Sequence, residues 1–244
     1  MDAPKLVLVT GSAGNVGQTV FHGLRPHFAL RAFDLLPTPG EPAAHVGDLA
    51  DRAAVERAVA GVDTIIHLGG CPRMSAEFMR DLVKPNVEGL WHVLDAARLA
   101  GVKRFIFASS CNVAFAATEL TQLKTDTVHV LNPYGATKAF GEAIGRWFHD
   151  TCGMEFLAVR IGYFRGIYID PGLREGWLRR IWLGPRDCVE FFRLAVEAPK
   201  FGYGVVYACS RCPENYLDLT SARQLLGYEP AEEVPAAPPL QGTS

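Results

Sequence analysis

Tyr134 and Lys138 stand four residues apart in a stretch with helical periodicity, so one helix face carries both side chains. An ammonium beside a phenol stabilises the phenolate and lowers its pKa. The tyrosine can then exchange a proton with a substrate hydroxyl near neutral pH. This spacing is common in unrelated chains. It gains weight from Arg104-Phe-Ile-Phe-Ala-Ser-Ser110, an apolar strand-like run that ends in two serines. A hydroxyl at Ser110 can hold the reacting oxygen, with an exposed loop serine as the alternative.

A second constellation lies near the N-terminus. The run Lys5-Leu-Val-Leu-Val9 leads straight into Thr10-Gly11-Ser12-Ala13-Gly14-Asn15-Val16-Gly17, and the amphipathic stretch Gln18–Leu24 follows. A strand, a glycine turn and a helix start in that order suit a dinucleotide. Gly11 permits the sharp turn, Gly14 lets the backbone approach a pyrophosphate, and Gly17 lets the helix lie close to the strand. Asn15 and Val16 sit at the helix start beside them. Asp34 ends the next strand, where a carboxylate accepts bonds from ribose hydroxyls and repels a 2′-phosphate, favouring NAD over NADP. Arg31 nearby keeps NADP open, and a surface aspartate is the alternative for Asp34. In Gly47-Asp48-Leu49, Asp48 reads either as an adenine contact or as the cap of the helix that starts near Asp51. His67-Leu68-Gly69-Gly70 closes another strand with small residues that let backbone pass near the cofactor. His67 itself reads as a structural strand-end histidine rather than a proton carrier.

The elements that must position these residues alternate along the chain. Apolar runs at Lys5–Val9, Leu30–Phe33, Thr64–Leu68, Arg104–Ala108, Phe156–Val159 and Val205–Ala208 are separated by helical patterns at Arg52–Ala60, Val87–Ala100, Tyr134–Phe148 and Pro185–Ala198. This predicts an α/β fold: a doubly wound parallel sheet of six or seven strands, with a small C-terminal substrate lobe. The expected division is a dinucleotide-binding core over residues 1–162, a substrate lobe over 163–230 that completes the same domain, and a disordered tail over 231–244.

The chain has 244 residues, 49% of them apolar, and a net charge of −2. That supports a sizeable core and argues against nucleic acid as a partner. No apolar run reaches the roughly 20 residues of a membrane span. The first strand begins too early to leave room for a signal peptide, so the six cysteines read as reduced thiols of a cytoplasmic protein. Cys209-Ser-Arg-Cys212 is a single C-x-x-C without a second pair, and no metal site is expected.

Together these residues resemble the extended short-chain dehydrogenase/reductase family, the NAD-dependent epimerase/dehydratase group. The matching pieces are the Thr10–Gly17 turn, Asp34, Gly47-Asp48-Leu49, His67-Leu68, Asn86-Val-Glu-Gly89, Ser109-Ser110 and Tyr134-x-x-x-Lys138. The resemblance implies NAD as cofactor, Tyr134 as acid/base, Lys138 also on the nicotinamide ribose, and Ser110 on the substrate oxygen. It adds Leu68, Gly69, Asn86 and Ile161 to the cofactor side, with Asn86 at a helix start in a supporting or proton-relay role; helix packing is the alternative there.

Within that family the likeness runs to the uronate dehydrogenase group. It rests on Phe107-Ala-Ser-Ser110, Tyr134-Gly-x-x-Lys138-x-Phe-Gly-Glu142, Val159-Arg-Ile-Gly162, Trp182-Leu-Gly-Pro-Arg-Asp187 and Leu226-Gly-Tyr-Glu-Pro230. This implies a small sugar or sugar acid as substrate, oxidised at C1 to a lactone. Ser75, Asn15, Cys111 and Asn112 become candidate substrate contacts, and Arg174 is chosen over Arg165 and Arg179 for a substrate carboxylate. Two features depart from the group: Cys111-Asn112 stands where it tends to carry Asn-His, and the stretch from Tyr163 to Trp177 is longer. An epimerase or dehydratase that retains its cofactor uses the same residues, and a non-enzymatic dinucleotide sensor is a third reading. The family likeness also suggests a homodimer through the helices at Val87–Ala100 and Tyr134–Phe148, with Trp91, Phe140 and Trp147 either as interface aromatics or simply packed on the sheet.

Overall fold

Seven parallel strands form one sheet in the order β3-β2-β1-β4-β5-β6-β7. They are β1 (Leu6–Thr10), β2 (Ala29–Asp34), β3 (His45–Val46), β4 (Thr64–His67), β5 (Arg104–Ser110), β6 (Glu155–Ile161) and β7 (Tyr203–Ala208). The computed structural model describes residues 5–116, 122–164, 176–212, 214 and 216–235. Each apolar run anticipated as a strand is one, and the short stretch before Gly47 is β3. The winding reverses at β1: the chain steps outward to β3, then returns to β4 on the other side. That reversal opens a crevice above the C-terminal ends of β1 and β4, where open parallel sheets hold their ligands.

Helices cover both faces, which is why the central strands are apolar on both sides. They are α1 (Asn15–Leu24), α2 (Arg52–Val59), α3 (Gly89–Ala100), α4 (Pro133–Cys152), α5 (Gly176–Arg179), α6 (Pro185–Glu197) and α7 (Thr220–Leu226). On one face Val20, Phe21 and Leu24 of α1 pack with Phe191, Phe192 and Val196 of α6 and Leu226 of α7. On the other, Val55 and Val59 of α2 pack with Leu90, Val93 and Leu94 of α3 and Phe148 of α4.

Two elements differ from the sequence reading. A π-helical stretch, Phe78–Glu88, precedes α3 and runs directly into it, and Glu77 caps it by accepting from the Met79 and Arg80 N–H groups. Pro85 inside it has no N–H to give, and the wide π repeat breaks the 3.6-residue period that marks helices in sequence. Asn86 therefore lies inside a helix, not at its start. The second correction concerns the expected tail. Ala231 and Glu232 donate their N–H groups to the buried Asp187 carboxylate at 2.8 and 2.9 Å. Arg211 N–H then bonds the Glu232 carbonyl at 2.9 Å, and Arg179 reaches the Pro235 carbonyl at 2.6 Å. A segment with proline and no periodicity can still be fixed by its backbone donors when a buried acceptor awaits them. Residues 236–244 lie outside the described residues.

Close approach of α4 to the sheet sets the position of everything on its first turns. A Cβ added at Gly145 would fall 2.1 Å from the Phe156 ring. That ring is stacked between Phe105 at 5.5 Å and Tyr203 at 6.0 Å, so it cannot turn away. Gly145→Ala gains about 1 kcal/mol of helix propensity but overpacks the interface by about 1–3 kcal/mol. We expect the urea midpoint to fall; an unchanged or higher midpoint contradicts the packing described.

Candidate active site

The glycine turn is built as its chemistry requires. Gly11 adopts φ +73°. Its N–H bonds the Phe33 carbonyl at 2.8 Å, and Gly14 N–H bonds the Gly11 carbonyl at 3.0 Å. A Cβ on Gly17 would lie 1.9 Å from the Gly11 carbonyl oxygen, and one on Gly11 would lie 2.5 Å from the Gly69 nitrogen. Helix α1 starts at Gly14 with no side-chain cap, which leaves its first N–H groups to an anion. Asp34 accepts from Ala13 N–H at 2.9 Å and Leu36 N–H at 3.0 Å, which fixes its carboxylate beside the turn. Arg31 donates from one terminal guanidinium nitrogen to the Ala58 and Ala60 carbonyls, each at 2.7 Å. A bare turn, an uncapped helix and a fixed carboxylate fit a dinucleotide with a free ribose diol.

Around this turn the other predicted residues divide. Val16, Leu68 and Ile161 line the cleft that extends from it. Gly69 packs against Leu49 and the turn, and the Leu49 carbonyl meets His92 Nδ1 at 3.2 Å. Asp48 accepts from Ala50 N–H and from Lys84 Nζ, both at 2.9 Å, and these donors hold its pKa below the usual carboxylate range. Asp51, not Asp48, caps α2, accepting from Ala54 N–H at 3.2 Å. Asn15 is exposed and donates to the Phe164 carbonyl at 3.4 Å. Asn86 is committed: its oxygen accepts from Cys71 N–H at 2.7 Å. Its amide nitrogen donates to Cys71 O at 3.1 Å and Thr137 Oγ1 at 3.0 Å. That is the packing alternative, a clasp between the loop after β4 and α4.

The catalytic candidates converge at the end of β5. A cleft of about 650 Å³ is lined by Ser110, Cys111, Asn112, Tyr134 and Lys138 together with Val16 of the turn. Lys138 Nζ donates to the Ala108 carbonyl at 2.7 Å and stands 5.6 Å from the Tyr134 ring centre. Burial pulls the Lys138 ammonium down to about 8. Burial pushes the Tyr134 phenol up to about 12, opposed by a hydrogen bond with Ser110 that favours the phenolate. Burial likewise pushes Cys111 up to about 12, so it faces the cleft as a neutral thiol.

Some predicted contacts are not assembled. Ser75 occupies an exposed turn and is not among the lining residues. Arg165 and Arg174 lie outside the described residues, and Arg179 is tied to Pro235. Cys209 and Cys212 are free thiols, and Cys212 Sγ donates to the Trp182 carbonyl at 3.2 Å. Among the described residues, no three His, Cys, Asp or Glu side chains gather as a metal site, and no helix is long and apolar enough to cross a membrane.

Sequence reasoning missed two features. Phe115, Tyr163, Phe164 and Trp177 form an aromatic wall of the cleft, with Phe115 and Trp177 edge-on at 5.8 Å. Glu142, one turn beyond Lys138, accepts from Ser109 Oγ at 2.6 Å and from Arg160 Nε and a terminal guanidinium nitrogen at 2.8 Å each. This buried pair ties α4 to β5 and β6. The four-residue step from Lys138 to Glu142 was the available signal.

Fold and site define a dinucleotide-binding protein of the doubly wound class. The chain matches the NAD dependent epimerase/dehydratase family model over residues 7–175, and it belongs to that family. It is similar to NAD-dependent glucose-6-phosphate dehydrogenase of Haloferax volcanii, with 33% identity covering 95% of this chain and 94% of the relative. Uronate dehydrogenase of Pseudomonas syringae pv. tomato is 34% identical over 84% of this chain and 74% of its own. The NAD complex of a tyrosine-to-alanine variant of uronate dehydrogenase from Agrobacterium tumefaciens superposes with a TM-score of 0.82 at 30% identity, covering 95% of this chain and 86% of that one.

His67 takes the structural role expected of it. Its Nδ1 meets Thr10 Oγ1 at 2.8 Å, and it lies against Phe105 and Phe107. Burial holds it neutral, down to about 3. The unfolded chain binds a proton at His67 below about pH 6.5 while the folded chain does not, so stability falls as pH drops from there toward 3. Between pH 7 and pH 5 this group alone removes about 2 kcal/mol. Urea unfolding at the two pH values should show a smaller loss in His67→Asn than in the parent; equal losses contradict the assignment.

Proposed function

We propose that this protein is an NAD-dependent dehydrogenase that oxidises the C1 hydroxyl of a small sugar or sugar acid, a hexuronic acid giving a lactone. The observation that carries this reading is the meeting of Ser110, Tyr134 and Lys138 in one cleft that begins at the glycine-turn helix. The functions named for the relatives, a sugar phosphate dehydrogenase and uronate dehydrogenases, support it. NAD, when bound, supplies the acceptor for the C1 hydride. Tyr134 as phenolate takes the hydroxyl proton, and Ser110 holds the oxygen from which it leaves. Lys138 keeps positive charge beside the phenolate, and the family resemblance also gives it the nicotinamide ribose. With Asp34 at the adenosine end, NAD is favoured over a 2′-phosphorylated cofactor. The reducing cytoplasm fits this reading, since it keeps Cys209 and Cys212 as thiols.

Purified protein should accumulate NADH when offered a panel of uronates, aldoses and sugar phosphates. Tyr134→Phe should lower kcat at least about a hundredfold. Turnover unchanged in that variant refutes the mechanism, and product without net NADH assigns an epimerase or dehydratase instead.

We also infer a homodimer through α3 and α4. Trp91 and Trp147 stack at 6.1 Å on these helices, yet remain 40% and 49% exposed. Such a pair is an interface signature. Phe140 is partly buried and packs against the sheet core instead. Light scattering should give twice the chain mass for the parent and a monomer for Trp147→Glu; a monomeric parent refutes the inference.

A further inference from the structure

The lining of the cleft is of two chemical kinds. Ser110, Asn112 and Tyr134 bring hydrogen-bonding groups from the end of β5 and the start of α4, whereas Phe115, Phe164 and Trp177 bring aromatic surface. Lys138 is the one charged side chain among the described lining residues, and its Nζ donates to the Ala108 carbonyl. Phe115 and Trp177 meet at 82° with ring centres 5.8 Å apart, so together they form a corner. Residues outside the lining brace it. Phe115 lies 6.1 Å from the ring of the buried Tyr216, and the Arg180 guanidinium stands 4.1 Å over that same ring. Arg180 is held by an ion pair with Glu214 at 2.8 Å, and its backbone N–H returns to the Trp177 carbonyl at 3.1 Å. The next residue, Ile181, accepts from Tyr163 N–H at 2.7 Å, which ties the turn carrying Trp177 to the end of β6.

We propose that the Phe115–Trp177 corner is a stacking subsite for the C–H face of a pyranose ring, so that the protein chooses its sugar by ring face and serves a neutral aldose and its uronic acid alike. A chair-form sugar carries equatorial hydroxyls around its rim and axial C–H bonds on its two faces. Those hydrogens are slightly positive, and the face of an aromatic ring is negative. The rim suits the hydroxyl and amide groups of Ser110, Asn112 and Tyr134, and one face suits the aromatic corner. An axial hydroxyl on the stacked face would lift the ring away and be buried without a partner. Trp177 is 47% exposed in the sugar-free protein, so it has surface for a substrate to cover. Because the corner is already braced, little ordering is lost when the sugar arrives.

This inference rests on the sugar dehydrogenase reading for its substrate class, but stacking can be read without turnover. Saturation-transfer NMR on the full chain with NADH, irradiating the protein's aromatic protons, uses glucose, galactose, mannose and glucuronate as probes. Saturation should concentrate on the axial protons of one ring face, the same face in glucose and glucuronate, and should fade in Trp177→Ala. Kinetically, Trp177→Ala should raise KM about tenfold for glucose and glucuronate alike, with kcat moving less. Trp177→Phe should recover most of that loss. Phe115→Leu keeps apolar bulk without an aromatic face and should raise KM severalfold. An epimer with its axial hydroxyl on the stacked face should bind at least about tenfold more weakly than glucose, and Trp177→Ala should narrow that gap. Saturation spread evenly over the sugar, or an unchanged KM in folded Trp177→Ala, overturns the proposal. So does a rise in KM confined to glucuronate, which marks a grip on the carboxylate instead. Face-selective saturation without any NAD reduction sinks the dehydrogenase reading and leaves the subsite standing; turnover without it does the reverse.

Discussion

A buried ammonium and a buried phenol face one another at the end of β5, and burial disfavours the charged form of each. Together they can hold opposite charges where neither alone is stable. The pair is useful only while both remain under the sheet edge at fixed separation, and much of the surrounding structure enforces that. The Phe156 ring sets how near α4 can come. Asn86 and Thr137 clasp its first turn to the loop after β4. Glu142 and Arg160 lock the turn beyond Lys138 to the neighbouring strands. A buried ion pair adds little net stability against an apolar replacement, but it fixes geometry because breaking it leaves a charge stranded.

The second organising constraint is topological. The reversal of winding at β1 leaves the ends of β1 and β4 uncovered by crossing connections, and the glycine turn, Leu68 and Gly69 fill that edge. The lack of side chains at the glycines lets three backbone segments meet: Gly11 lies against Gly69, and Gly17 against Gly11. The cleft then runs from Val16 to Tyr134 without leaving the strand ends, so cofactor and substrate sides share one edge.

Much of this was legible in the sequence because it rests on local periodicity. Strands that alternate with helices declare themselves, and Tyr134, Lys138 and Ser110 are marked by helix spacing and strand end. What was not legible depends on contacts distant in the chain. The stretch around Pro85 hides because a π repeat has no 3.6-residue signature. The commitment of Asn86 to Cys71 and Thr137 needs three segments in place before it can be seen. Asp48 read either as an adenine contact or as a helix cap, and the cap lies three residues further on, at Asp51.

Asp187, in the first turn of α6, accepts from Ser210 Oγ at 2.6 Å as well as from the backbone of Ala231 and Glu232. Its partners thus lie 23 to 45 positions further along the chain. During synthesis on the ribosome, the helix start emerges long before the groups that satisfy its buried carboxylate. This corner stays unfinished until residue 232 has left the exit tunnel. Vectorial assembly therefore ends on the face of the sheet where it began, against the first helix made.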